Sequence, residues 1–496
     1  MHNSDDWYDD KEVEEAVSRY EASKLTGGSQ YFDVDEYLMI IDYYMVNDRQ
    51  DEAIEACAKA MRLHGDEPEL VLMRARIDIH QGNAEKALES ILPLENMLSD
   101  DYGYYLTKAS ALLDLERDGF DECFEKVFEL IEDESSELRE DIFDEMGEML
   151  ERARLYPEAR SFYEMAVEEF PENLVFLFKL GFCYECLSKP EKAIELYNKA
   201  IDVDPFSESA WYNIGIAYNR MGEYDKALEA YNYAIALDPS FSDAIFNRGN
   251  TFCNAGRYSE ALECYQEYLQ IYPDSVSAKC YSGECYIQLG RIDEADECYN
   301  KILSEHGGNN AEAWYGKAMV FSARGETKKA VEALETLLKI DNEHDTAWFH
   351  LGRLYFMLER NHDAIEAFEE SLKLNKYNSA AWQNLALLLI MRHEYGEAIE
   401  RLETALEFFL PDDSTLLYTL AAAEFLAGNV QSCMHDFKKA FNSDPDMIGD
   451  FLSLVPKSRM PIELKKLCNL NRKRVGKRSK DNNQDDNKNI DENEQH

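Results

Sequence analysis

The chain has 496 residues, and 51 lysines and arginines against 99 aspartates and glutamates give it a formal charge of −48. So acidic a surface repels phosphate backbones and anionic lipid, which argues against nucleic-acid binding and favours partners with basic segments. An apolar fraction of 45% is ordinary for a folded protein, so the charge does not mark a disordered chain, and 496 residues exceed one compact core.

The amino terminus, MHNSDDWYDDKEVEEAV, is acidic and lacks the apolar core of a signal peptide. Val13, Ala16, Val17 and Tyr20 fall on one helical face and predict a capping helix. Further on, a period of 34 residues takes over. Gly181, Gly215, Gly249 and Gly283 keep that step, as do Ala159, Ala193, Ala227, Ala261 and Ala295. Tyr163, Tyr197, Tyr231, Tyr265 and Tyr299 follow it too, with Pro171, Pro205, Pro239 and Pro273. Trp314, Trp348 and Trp382 continue the series, and the 103 residues from Trp211 to Trp314 leave one extra, which the turn His306–Asn310 accommodates.

Each period predicts two helices. Trp211, Ile214, Gly215 and Tyr218 form the stripe of the first, and Gly222 ends it. The second places Ala227, Tyr231 and Ala234 on one face and stops at Pro239, which has no amide to donate. Gly215 and Ala227 leave room only for close helix approach, and Trp211 is expected to be buried packing. After the last period, Ile448–Leu454 and Ile462–Leu470 predict further capping helices, and 471–496 is polar and expected to be disordered. No stretch approaches the ~18 apolar residues that a membrane span needs. The eleven cysteines form no dense, even framework and read as reduced thiols, which points to the cytoplasm.

The spacing of Trp211, Ile214, Gly215, Tyr218, Ala227, Tyr231, Ala234 and Pro239 is similar to that of the tetratricopeptide repeat family. The resemblance implies an all-α fold, a right-handed α-solenoid (superhelix) of stacked 34-residue helix-turn-helix repeats. About twelve would lie in 34–447: three divergent repeats in 34–139, five matching the pattern best in 140–310, and four in 311–447. An acidic segment with its capping helix (1–33), capping helices at 448–470 and the tail 471–496 complete the division. Single repeats cannot bury their own apolar faces, so stacking supplies the core.

Catalytic chemistry is not evident. No histidines stand at metal-ligand spacing, and Cys183-x-x-Cys186, inside a helix with no second pair, reads as structural. GGNNAEAWYGKA lacks the second glycine and the Ser/Thr of a phosphate loop. With so few residues outside the repeats there is no room for a catalytic domain, so no enzyme activity, cofactor, metal or small-molecule substrate is expected.

In the family the first helix of each repeat lines a concave groove, and positions 2, 5, 6, 9, 12 and 13 of each repeat would face it. By that resemblance, Leu38, Met39, Met45, Leu72 and Met73 offer an apolar zone suited to a partner helix, although packing on the amino-terminal helix is the preferred reading of them. Asp141, Asp144, Glu145, Glu148 and Glu151 form an acidic belt, read first as a solvated face of an acidic protein and, more sharply, as a clamp for a Lys/Arg-rich segment. A third zone holds Tyr212, Asn213, Asn219, Arg220, Phe246, Asn247, Asn250 and Asn254, with His350, Arg353 and Asn384 further along. Asparagine amides both donate and accept, so they can pair with an extended backbone, as in the asparagine ladder of the O-linked sugar transferases of the family. Here Tyr281, Gly316 and His350 interrupt that ladder. The basic run 465–480 could serve self-association. The reading is a non-catalytic adaptor that binds extended or helical segments of partner proteins. Its alternative is a structural or regulatory subunit of a larger multiprotein enzyme assembly.

Overall fold

The computed structural model describes residues 10–26, 30–409, 413–456, 458 and 460–466, and these contain helices and turns but no strand. Contacts divide the chain into two compact units, Met1–Thr251 and Phe252–His496. The first unit holds α1 (Asp10–Thr26), α2 (Val34–Val46), α3 (Gln50–His64), α4 (Pro68–His80), α5 (Ala84–Ile91), α6 (Tyr102–Asp114), α7 (Phe120–Ile131), α8 (Ser136–Arg152), α9 (Tyr156–Glu169), α10 (Leu174–Cys186), α11 (Pro190–Val203), α12 (Glu208–Arg220) and α13 (Tyr224–Leu237). Helix α14 (Ser242–Asn254) carries the boundary. The second unit continues with α15 (Tyr258–Ile271), α16 (Val276–Gln288), α17 (Ile292–Glu305), α18 (Ala311–Ala323), α19 (Thr327–Ile340), α20 (Asp345–Met357) and α21 (Asn361–Leu374). It closes with α22 (Ser379–Met391), α23 (Tyr395–Phe408), α24 (Ser414–Ala427), α25 (Val430–Ser443) and α26 (Ile448–Leu454). Within each unit successive helices pack as hairpins, and each hairpin packs on the next: an α-solenoid.

The helices start and stop for local reasons. Ser207 caps α12 by accepting the Ala210 amide at 3.2 Å, and Asn310 caps α18 by accepting that of Ala313 at 2.7 Å. Between the helices of a hairpin the chain passes through the left-handed region, at Gly222 with φ 76°. Six hairpins reach that conformation without glycine: Asp48, Glu116, Arg154, Ser188, Glu359 and His393 have φ between 52° and 63°.

Five hairpins, α8/α9, α10/α11, α12/α13, α16/α17 and α20/α21, close on an aromatic ring set against a glycine. Tyr231 of α13 is 1% exposed, and a Cβ on Gly215 of α12 would lie 2.6 Å from its Cε1. Phe368 fills the same role against Gly352, at 2.8 Å. Tyr299 of α17 serves two helices, meeting Gly283 of α16 and Gly316 of α18. The later tryptophans bind the turn before their own helix: the indoles of Trp314, Trp348 and Trp382 donate to the carbonyls of Gly308, Asn342 and Lys376 at 2.8–2.9 Å. Trp211 departs from the buried packing expected of it. It is half-buried, stacked on the exposed Tyr233 with centroids 4.5 Å apart, because its neighbour on that side is a surface residue of α13.

At the front, Ala16, Val17 and Tyr20 of α1 are buried against Phe32, Tyr37 and Tyr44. At the rear, Ile448, Phe451, Val455, Met460 and Leu464 bury against Tyr418 and Phe437. The residues expected to be disordered, 471–496, lie outside the described residues, as does most of the basic run, from 467 onward. Among the described residues no helix is long and apolar enough to cross a membrane.

Candidate functional site

The first helices of four hairpins, α2, α4, α6 and α8, line a groove of about 950 Å³ in the first unit. Its floor is apolar: Leu72, Met73, Ile79, Leu106 and Ile142 are each less than 9% exposed. Leu38 and Met45 of α2 are half-buried and extend the apolar wall toward Val13 of α1. Gly103, Thr107 and Ser110 of α6 are small, which opens the space between the apolar helices and α8.

The rim is acidic. Ten carboxylates line the groove against two arginines, and Glu69, Asp141 and Glu148 are exposed. Both arginines are held by internal partners: Arg76 donates to Thr107 Oγ1 at 3.2 Å, and Arg152 to Ser110 Oγ at 2.9 Å. Gly103 is what lets Arg76 lie there, since a Cβ would stand 2.7 Å from its Nη2.

Four of the five acids picked from the sequence, Asp141, Asp144, Glu145 and Glu148, line this groove together with the apolar residues of α2 and α4. Lys179 of α10 partly neutralises them, bridging Asp144 at 2.6 Å and Glu148 at 2.8 Å. Burial acts to lower the Lys179 pKa, but bonding to the two carboxylates outweighs it and the pKa rises. Glu151 is not part of the lining; burial raises its pKa against the pull of Lys179. Asp42, Glu69 and Leu106 were not singled out, although the same repeat positions applied to 34–139 reach them.

The asparagine zone is largely occupied by its own contacts. Asn247 donates to the Tyr212 hydroxyl at 2.8 Å and accepts from Asn250 at 3.2 Å. Tyr212 packs on Tyr231 and Phe241, and burial raises its pKa. Asn213, Asn219 and Phe246 are half-buried. Arg220 reaches back to α10, where its guanidinium meets the buried Glu185 at 2.7 Å and Tyr197 donates to the other carboxylate oxygen at 2.9 Å.

In the second unit Asn254 is exposed at the end of α14. His350 sits edge-on to Tyr315 and Phe349, with its pKa lowered by burial and then by Arg353. Arg353 lies 5.9 Å above the Phe349 ring. Asn384 donates to the Ala380 carbonyl of its own helix at 2.7 Å. Cys183 is buried in α10 and Cys186 is exposed, and burial raises both thiol pKa values. His362, Asp363 and Glu366 bring ligand atoms within 4.8 Å, but the first and last are exposed and Asp363 is already paired with Arg360.

Profiles described as tetratricopeptide repeat match residues 209–241, 254–320 and 315–381, and one matches both 230–263 and 367–400. A profile described as TPR repeat matches 187–222. No curated protein matches the chain. Among solved structures, a tetratricopeptide repeat protein from Parabacteroides merdae ATCC 43184 is similar at 18% identity and a TM-score of 0.45, over 50% of this chain and 98% of that one. MamA is similar at 28% identity and 0.31, over 32% and 94% of the two chains. Yeast Tom70 is similar at 15% identity and 0.48, over 84% and 99%.

Proposed function

Residues 187–400 belong to the tetratricopeptide repeat family, and from that premise we propose that the protein is a non-catalytic scaffold capturing segments of partner proteins in the groove of its first unit. The observation that carries this reading is the 950 Å³ groove, in which four successive first helices present an apolar floor and an acidic rim. A stacked array loses little entropy on binding, so modest contacts along the groove yield useful affinity. The asparagine zone is assigned a lesser part, since Asn247 and Arg220 are engaged within the chain.

Cross-linking of the full chain in native lysate, read by mass spectrometry, tests the proposal. Partner cross-links should concentrate on α2, α4, α6 and α8 and be lost in the Leu38→Glu, Met45→Glu variant. Cross-links that persist unchanged in that variant, or that map only to second helices, would overturn it.

A further inference from the structure

Resting on the groove reading above, we propose the chemistry of its occupant: an amphipathic helix with leucine- or methionine-type residues on one face and lysines or arginines on the other.

The floor decides between a helix and an extended strand. Leu72, Met73, Ile79, Leu106 and Ile142 offer no side-chain donor or acceptor. An extended peptide laid over them would find no backbone partners on the floor itself and would depend on the rim for each, at a cost of ~1–3 kcal/mol for every amide or carbonyl that the rim does not reach. A helix bonds its own backbone and presents only side chains, spaced i, i+3, i+4 and i+7, to such a surface. Met39, Met45 and Met73 add a deformable wall that can adapt to aliphatic side chains of different shape.

The rim decides the charge. Ten carboxylates face the groove against Arg76 and Arg152, and both arginines are turned onto α6 by Thr107 and Ser110. Lys179 bridges two of the ten. The lining keeps a net excess of carboxylates, which opposes an acidic helix and favours one that carries lysines or arginines.

Fluorescence anisotropy with the full chain and labelled 18-residue synthetic peptides tests this. The probes are a Leu/Lys amphipathic helix, the same residues scrambled, and the Leu/Glu counterpart. The Leu/Lys helix should bind at least tenfold more tightly than either, and weaken severalfold between 50 and 300 mM salt. The Glu69→Lys, Asp141→Lys variant should lose about tenfold. Glu89→Lys, Glu125→Lys makes the same change in net charge on the exposed faces of α5 and α7, and should lose little. Equal loss in both variants would mean attraction to net charge alone and would overturn the proposal. So would equal binding of the scrambled peptide. A peptide of the chain's own residues 465–480 is a further arm: binding as tight as the Leu/Lys helix would transfer the groove to a second copy's basic run. If no probe binds while partner cross-links still map to α2, α4, α6 and α8, the helix chemistry fails and the groove reading survives.

Discussion

Replacing Arg220 with alanine should make the protein's stability fall more steeply with rising pH than the parent's does. Glu185 lies in α10 with its side chain 5% exposed, held by Arg220 at 2.7 Å and by the Tyr197 hydroxyl at 2.9 Å. Burial raises its pKa, and Tyr197 and Arg220 pull the other way. Without Arg220 a buried carboxylate keeps one hydrogen bond and no counter-charge, so its folded-state pKa rises further. A charge-assisted bond contributes ~1.5–3 kcal/mol; because Arg220 is itself 54% exposed, ~1–2 kcal/mol is the appropriate loss. The sign follows from linkage. A carboxyl whose folded pKa exceeds its unfolded value favours folding when protonated, so its contribution is lost as pH rises above the unfolded value. The variant should therefore be close to the parent near pH 5 and fall behind by about tenfold in local opening constant at pH 8. Amide hydrogen exchange in α10 and α12 reads this directly and avoids assuming two-state unfolding. In a Glu185→Gln background the Arg220→Ala effect should be small and independent of pH. A loss of equal size at pH 5 and 8, or one that persists in that background, would refute the reasoning.

Gly215→Ala should destabilise α12 and α13 by ~1–2 kcal/mol despite the ~1 kcal/mol that alanine brings to a helix interior, because its Cβ meets the Tyr231 ring; an unchanged urea midpoint would show that the ring can move. Glu359→Gly should raise stability by ~0.5–1 kcal/mol, since Glu359 holds φ 58° in a turn where Gly222 and Gly325 hold 76° and 72°; a lower melting temperature would contradict it. Cys253 in α14 lies 3.2 Å from the Cys285 sulfur and 3.5 Å from the Tyr265 hydroxyl, and hydrogen bonding, first from Cys285, lowers its pKa. The half-point of its alkylation by iodoacetamide should lie below that of an ordinary free thiol and move upward in Cys285→Ala, while Cys280, pushed up by burial to about 12, stays slow.

The fold was legible because its packing repeats. The close approach read at Gly215 is a ring on a glycine, and the same contact recurs at the 34-residue step at Gly147, Gly181 and Gly283, so no distant information is needed. The site was legible only as a face. Repeat position says which side of a helix Asn247 or Arg220 occupies, but not that the Asn247 amide bonds Tyr212, 35 residues earlier, or that Arg220 pairs with Glu185 in the hairpin before. Those partners come from one repeat away, through side-chain reach that periodicity does not encode. Asn384 is settled even more locally, by the carbonyl four residues before it. The apolar zone of α2 and α4 and the acids of α8 looked like separate surfaces for a related reason. What joins them is the smallness of Gly103, Thr107 and Ser110 between, residues that repeat position reaches but that carry no apolar or charged signal of their own.

Tyr299 makes the array behave like a ratchet. Its ring rests on Gly283 behind and Gly316 ahead, so moving α18 by one residue would bring Tyr315 or Lys317 under the ring instead. Only settings that return a glycine to that place are open. The spacing of these hairpins is therefore kept by the ring and not by the turn between them. The turn His306–Asn310 carries its additional residue while Gly308 and Asn310 still hold α18, so an insertion placed before Gly308 would leave the neighbouring hairpins in step.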